Sequence, residues 1–433
     1  MKTLKTCAKQ TLRNSVFLFT CSILFVCFLH AGEPDKWRIY LQPWEPVTAF
    51  IDGKKVESIS KHIEKNLGYV DIILPEKIRN RSFYLKIVSE GVLFDKKINL
   101  TGFYRDILFQ KIDKTYQPVG YINTGKKPKS ARFMNNHIVI VPLLDASGIS
   151  IIDIKTGKRK LLPVPEKYIG ESGFVESLVI PDTKELWITQ MTSSIHVFDL
   201  KTFKYKTTIT VSGNWTKFME YDKSRKRVYV SNWLSGDVSV IDIKRKKQID
   251  TLQTGGIPRG LLLSSDSKAL YVTLYSGNKS DTIRGNLLRI DLESKKNTKI
   301  DGKPGAKRHL VRDNKGRIYV SDMLNAIVEV IDEKSLKLIK TIPVYDKPNT
   351  IVVSPDGTTL FVSCRGPNNK KSYLLKGPKF GKIIMIDLKR LEVVREVEGG
   401  NQPTGLDISP DGKILVLTDF LDHKLRFYNL QNM

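Results

Sequence analysis

Four basic side chains, Lys129, Lys217, Arg259 and Arg308, fall at one point of a recurring sentence in the chain, the residue that opens the first strand of each copy. Val175, Asn349 and Thr404 take that point in the other copies. Cations gathered at one opening focus field on an incoming anion. The competing reading is a solvated rim, because the chain is basic throughout: 71 Lys and Arg against 45 Asp and Glu, a net charge of +26. A second recurring point lies four residues after the aromatic position of the second strand. It reads Leu144, Met191, Trp233, Tyr275, Met323, Arg365 and Phe420. Six large apolar side chains centred on Trp233 and Tyr275 fit either a patch for a protein partner or packing between neighbouring copies. A third feature is a pair of loop insertions, Gly277 to Asn286 and Gly366 to Gly381. The second carries Lys370, Lys371, Lys376 and Lys379 around Tyr373. Long loops on a rigid frame often bind, and some are merely tolerated.

Catalytic patterns are scarce. The chain has no HExxH, GxSxG, phosphate-binding glycine loop or CxxC. His62, His137, His196, His309 and His423 show no metal-ligand spacing, so neither a metal nor a cofactor is expected. His309 follows Arg308 in the fifth copy, and Glu176 takes the matching place in the second, almost opposite. An acid, a base and a cation at one channel are the parts needed to activate water on a lactone, so a lactonase-like hydrolase is the alternative to a binding protein.

These residues are positioned by a repeat. Its clearest copy runs from Arg227 to Asp266. An apolar strand, a polar loop, a strand ending in Ile-Asp, an outer strand and a Gly-Pro step lead to a new inner strand. The Asp marker recurs at Asp153, Asp199, Asp242, Asp291, Asp332 and Asp387, with Asn429 in the last copy. Steps of 46, 43, 49, 41, 55 and 42 residues, with four short strands in each, predict an all-β, seven-bladed β-propeller over 115–433. The Asp markers read as turn formers. Pro118 to Thr124 has the form of an outer strand, and the last copy lacks one. Pairing this segment with Leu425 to Leu430 therefore closes the ring. Strands alternate in direction, so the loop into each inner strand and the loop between strands two and three open on one face.

The first 32 residues read as an export signal: Lys2, Lys5, Lys9 and Arg13, then an uncharged apolar run from Val16 to Leu29. Removing them takes four of the 26 surplus charges and leaves +22. Only Cys364 remains after Gly32, so no internal disulfide is possible in that form. Cys27 closes a Leu24-Phe25-Val26-Cys27 stretch similar to a lipidation box, and a lipid there would anchor the protein to a membrane. Residues 33–114 lack the repeat but carry six or seven short strand patterns. They predict a small immunoglobulin-like β-sandwich, with a compact PEGA-like module as the alternative.

Tyr229-Val230-Ser231-Asn232, Tyr271-Val272-Thr273, Tyr319-Val320-Ser321-Asp322 and the turns Ser354 to Gly357 and Ser409 to Gly412 carry a resemblance to the YVTN family of seven-bladed propellers. It covers about residues 116 to 430. The resemblance implies the fold; members include surface-layer, cell-surface and nucleic-acid-binding proteins, and some look like lactonases. A signal, a small β-sandwich and a basic propeller together resemble the layout of leptospiral surface antigens. The expectation is an exported protein of the bacterial periplasm or outer-membrane surface. It binds proteins or polyanions such as extracellular-matrix components or glycans; nucleic acid suits an exported protein less well. The mature chain is predicted to begin near Glu33 or at a lipidated Cys27. Mass measurement of the native N-terminus checks this, and an intact Met1 refutes export. Detergent partitioning that is the same in Cys27→Ser removes the lipid.

Overall fold

The computed structural model describes residues 25–27, 36–41, 47–64, 67–73, 83–88, 92–98, 120–275 and 285–430. The chain divides into two compact units, Met1–Val119 and Gly120–Met433.

Unit one holds two four-stranded antiparallel sheets. One orders Phe25–Cys27, Lys36–Leu41, Leu67–Ile73 and Ser58–Glu64; the other orders Lys54–Lys55, Thr48–Ile51, Phe83–Val88 and Val92–Ile98. Phe25–Cys27 lies within the expected signal and forms an edge strand, so its removal leaves three paired strands. Asp52 and Gly53 both take positive φ, 49° and 80°, as a tight primed hairpin turn requires. Ala49, Ile51, Val70, Ile72, Leu85 and Ile87 alternate inward and are buried. The strand expected over Ile107 to Ile112 lies outside the described residues, as does most of the first 32.

Unit two holds seven four-stranded antiparallel sheets, six of them built from consecutive strands. Sheet 1 runs from Arg132 to Leu161, sheet 2 from Phe174 to Thr210, sheet 3 from Thr216 to Gln253 and sheet 4 from Ile257 to Lys299. Sheet 5 runs from Lys307 to Pro343 and sheet 6 from Pro348 to Gly400. Sheet 7 joins Pro403–Ile408, Ile414–Asp419 and Lys424–Asn429 to Gly120–Asn123. That last pairing sets Leu425 opposite Ile122 and Phe427 opposite Gly120, the expected closing clasp. Each inner strand neighbours the next, and sheet 7 returns to sheet 1, as in a propeller. Apolar cores lie between sheets. Trp187, Ile195 and Val197 of sheet 2 pack with Met219, Val228 and Val230 of sheet 3, and Val416 and Leu425 of sheet 7 pack with Phe133 and Val139 of sheet 1.

The Asp markers are turn formers. Asp242, for example, accepts the N–H groups of Lys244 and Arg245 at 2.9 and 2.7 Å, which holds its carboxyl below the ordinary range. The hydroxyl that follows the apolar pair of the second strand, as in Tyr229-Val230-Ser231, has a larger task. In sheets 2 to 7 the inner strand carries a bulge, so that two of its residues oppose one residue of the second strand. That one residue is Thr189, Ser231, Thr273, Ser321, Ser363 or Thr418. Its hydroxyl accepts an N–H of the bulge, as Ser231 does from Phe218 at 3.0 Å. Five of them also donate to the carbonyl of the ring residue in the next sheet: Thr189 to Lys217, Ser231 to Arg259, Thr273 to Arg308, Ser321 to Asn349 and Ser363 to Thr404. Thr404 to Lys129 and Ser130 to Val175 complete the circle. The inner strands approach so closely that a Cβ on Gly405 would lie 2.5 Å from Ser130 Cα.

Buried polar groups also stitch strands within a sheet. Lys307 Nζ lies 3.0 Å from Asp322 and 2.6 Å from Glu329, all three fully buried. Removing the cation leaves two carboxylates without their counter-charge. Lys307→Met is therefore expected to destabilise the protein by about 3–5 kcal/mol. Denaturant unfolding measures this; a loss under about 1 kcal/mol contradicts the assignment.

Candidate functional site

The bulge turns the ring residues into the mouth of the central channel, on the face where the loops between strands two and three open. Lys217, Arg259 and Arg308 are buried there, and Lys129 is half-buried. All four sense one another's charge, and Arg365 joins them. Among the described residues Glu176 is the one carboxylate paired with the cluster, 3.5 Å from Arg259 Nη2. Arg308 Nε donates to Asn349 Oδ1 at 3.1 Å. Arg259 Nη1 and Arg365 Nε are buried and have no hydrogen-bond partner among the described residues.

The second ring packs against the first. The Arg308 guanidinium lies 5.2 Å from the Tyr275 ring centre and 5.8 Å from that of Trp233, and those two rings stand 4.8 Å apart. Lys217 Nζ is 4.7 Å from the Trp215 ring centre and 5.8 Å from Trp233, and Lys129 faces Phe420 at 5.9 Å. These are cation–π distances. Phe420 is buried, and the other six members are half-buried. The ring is thus neither a bare patch nor simple packing between sheets; it walls the cations.

Crowding shifts their protonation. Burial, then Arg259 and Arg308, brings the Lys217 ammonium from the ordinary 10.5 to about 7. Burial, then Arg308 and Arg259, also lowers Lys129. Burial and Arg259 lower Arg308, yet a guanidinium remains charged at neutral pH. Two unit charges about 8 Å apart at an effective dielectric near 20 repel by about 2 kcal/mol, so five cations with one carboxylate form a strained group.

Beneath the mouth the channel widens to a cavity of about 210 Å³ lined by all seven inner strands. It brings Glu176 and His309 together with Arg132, Glu220 and Asp407. Burial raises Glu220 to about 7 and also raises Asp407. Burial, then Arg259, drops His309 to about 3. Its Nδ1 accepts the Ile351 N–H at 3.4 Å, so the neutral ring holds its proton on Nε2. His309 is a donor here, with no free lone pair to take a proton from water.

The Gly366 to Gly381 insertion is on the mouth face. Arg365 lies under Tyr373 at 5.6 Å, Lys376 pairs with Asp422 at 2.6 Å, and Gln402 donates to Asn368 at 3.1 Å. Lys370, Lys371 and Lys379 are exposed. Residues 276–284 of the other insertion lie outside the described residues. Sequence reasoning missed Arg365 as a fifth cation, although its charge in an otherwise apolar ring was the signal. It also missed Trp215, two residues before Lys217. No three His, Cys, Asp or Glu side chains are grouped to hold a metal ion among the described residues. No described helix is long and apolar enough to cross a membrane.

The chain is 43% identical over 376 residues to Antigen Lp49 of Leptospira interrogans serovar copenhageni, covering 84% of this chain and 82% of that one. It is 27% identical over 244 residues to the uncharacterized protein YncE of Salmonella typhi, covering 52% of this chain and 62% of that one. In fold it is similar to a chain of Kuenenia stuttgartiensis hydrazine synthase, with a TM-score of 0.58, 18% identity and coverage of 75% of this chain and all of that one. A chain of the mitotic checkpoint complex gives a TM-score of 0.59 at 14% identity, covering 77% and 99%. No family model matches the chain.

Because Lys217 titrates near 7 when folded and near 10.5 when unfolded, the unfolded chain binds more protons between those values. Stability must therefore rise with pH across that window, and the full penalty applies below pH 7. Relative to Lys217→Met, the native protein is expected to gain stability between about pH 7 and 10 in denaturant unfolding. A constant difference across the window contradicts it.

Proposed function

The chain belongs to the family of Antigen Lp49, and on that premise we propose that it is an exported, surface-exposed binding protein without catalytic activity. Its propeller, read as seven-bladed and YVTN-like, presents the loop face to partners, and an immunoglobulin-like unit precedes it. The observation that carries this reading is the mouth itself, five cations gathered around one carboxylate. Such a surface suits polyanions: sulfated glycans, or acidic segments of matrix proteins. The exposed lysines of the Gly366 to Gly381 loop extend the same charge outward. The donor state of His309 weighs against its serving as the base of a lactone hydrolysis, which would leave that role to the cavity carboxylates Glu176, Glu220 and Asp407. Anchoring through a lipid on Cys27 fits residence at the periplasmic or outer-membrane surface.

An array of glycans and matrix proteins, probed at low and physiological salt, tests the proposal. Binding is expected to weaken with salt as condensed counterions return. Replacing Lys370, Lys371, Lys376 and Lys379 with Ala should weaken binding and flatten the salt slope. Replacing Lys155, Lys201, Lys244 and Lys389 should change little. These exposed lysines follow Asp markers on the opposite face, beyond the Debye length of about 8 Å. Equal losses from both variants mean that total charge, and no site, drives binding.

A further inference from the structure

We propose that the channel mouth seats one compact oxyanion end-on, a sulfate or phosphate group, free or as the terminal ester of a larger molecule. This rests on the loop face being the binding face and names what that face selects.

Three observations converge. First, the positive charge is both buried and under-compensated. Glu176 offsets one charge, while Lys129, Lys217, Arg259, Arg308 and Arg365 share a single neighbourhood. Buried charges are normally paired, and a cluster left in excess is relieved by a bound anion. Second, the unmet donors are of the right kind. Among the described residues Arg259, with its side chain 7% exposed, keeps Nη1 without a hydrogen-bond partner, and Arg365 keeps Nε without one. Guanidinium N–H groups match the geometry of an oxyanion, which accepts several of them at once. Third, the surplus of positive charge ends with depth. In the cavity below, Asp407 offsets Arg132 at 3.7 Å and Glu220 adds a further carboxyl, so an anion gains more at the mouth than further in. A group held there leaves the rest of its molecule outside, between half-exposed Trp215 and the Tyr373 loop. A chain lying flat across the face would instead use the exposed lysines and leave the buried donors unmet.

Calorimetric titration of the full chain with inorganic sulfate, inorganic phosphate and a monosulfated disaccharide tests this. One site per chain is expected, with the three probes in competition. Arg259→Met should weaken binding by at least about tenfold, since a hydrogen bond to a charged group is lost. Arg259→Lys should restore only part, because the fork is gone. Glu176→Gln should tighten binding several-fold, an opposite sign that a damaged fold does not produce. Near pH 7 binding should also take up protons, read as different heats in two buffers, because an anion beside Lys217 favours its charged form. Free anions and the ester binding alike identify the group itself as the ligand; binding by the ester alone identifies a carried group. Absence of a single site, or affinities unmoved by Arg259→Met and Glu176→Gln, overturns the proposal. If a matrix polyanion depends on the four loop lysines but not on Arg259 or Arg308, the end-on seat fails and the wider binding reading stands. If the free anion binds but no macromolecule does, the seat stands and that reading fails.

Discussion

Seven hydroxyl groups, one between each pair of neighbouring sheets, hold the inner strands of unit two in a closed circle. A bulge frees a backbone N–H and turns a carbonyl toward the neighbouring sheet, and buried groups of this kind cannot be left unmet. In sheets 2 to 6 one Ser or Thr hydroxyl meets both needs, accepting from its own sheet and donating to the next. At the seam Thr404 and Thr418 share the task, with their hydroxyls 3.0 Å apart. The hydroxyl position is thereby constrained, while the side chain at the bulge is not. That is why the ring reads Lys, Val, Lys, Arg, Arg, Asn and Thr on a nearly invariant frame. The scaffold fixes where seven side chains point and leaves their chemistry open.

Two buried charge clusters elsewhere in unit two give the comparison. Lys307 meets two carboxylates, and Arg426 meets Asp419 at 2.9 Å and Asp422 at 3.8 Å. Both are internally compensated and join strands of one sheet. At the mouth the ratio is inverted, with cations outnumbering the carboxylate paired to them. The cost of that excess is eased by the aromatic faces of Trp215, Trp233, Tyr275, Tyr373 and Phe420, which attract cations without neutralising them. Compensation thus separates the clusters within a sheet from the one at the mouth.

Much of this was legible from the residues. The repeat located the strands, and stacking the copies placed Lys129, Lys217, Arg259 and Arg308 at one mouth and Trp233 and Tyr275 on the same face. What escaped has physical causes. Ser58–Glu64 is a strand whose Ser, Lys, His and Glu residues hide its pattern; it forms at the side of a more apolar partner, Leu67–Ile73. The contact between the two rings depends on how far long side chains reach across a loop, which spacing alone does not tell. Glu176 could be aligned with His309 in sequence. That it neutralises Arg259, and that His309 is locked as a donor by Ile351, required the channel's width and the inner-strand register.

The clasp sets the order in which this molecule can be made. Lys127 and His423, bonded at the seam, are 296 residues apart, so Gly120–Asn123 emerges early from a ribosome or an export channel and waits for nearly the whole of unit two. Until Lys424–Asn429 arrives, the strand has no partner and the last sheet has an open edge. Closing so long a span carries a loop entropy that later contacts must repay, so ring closure is a terminal, all-or-none event. A chain cut before that event leaves the Lys129 carbonyl without the Thr404 hydroxyl that meets it in the closed ring. Closure of the ring and assembly of the mouth are therefore the same step.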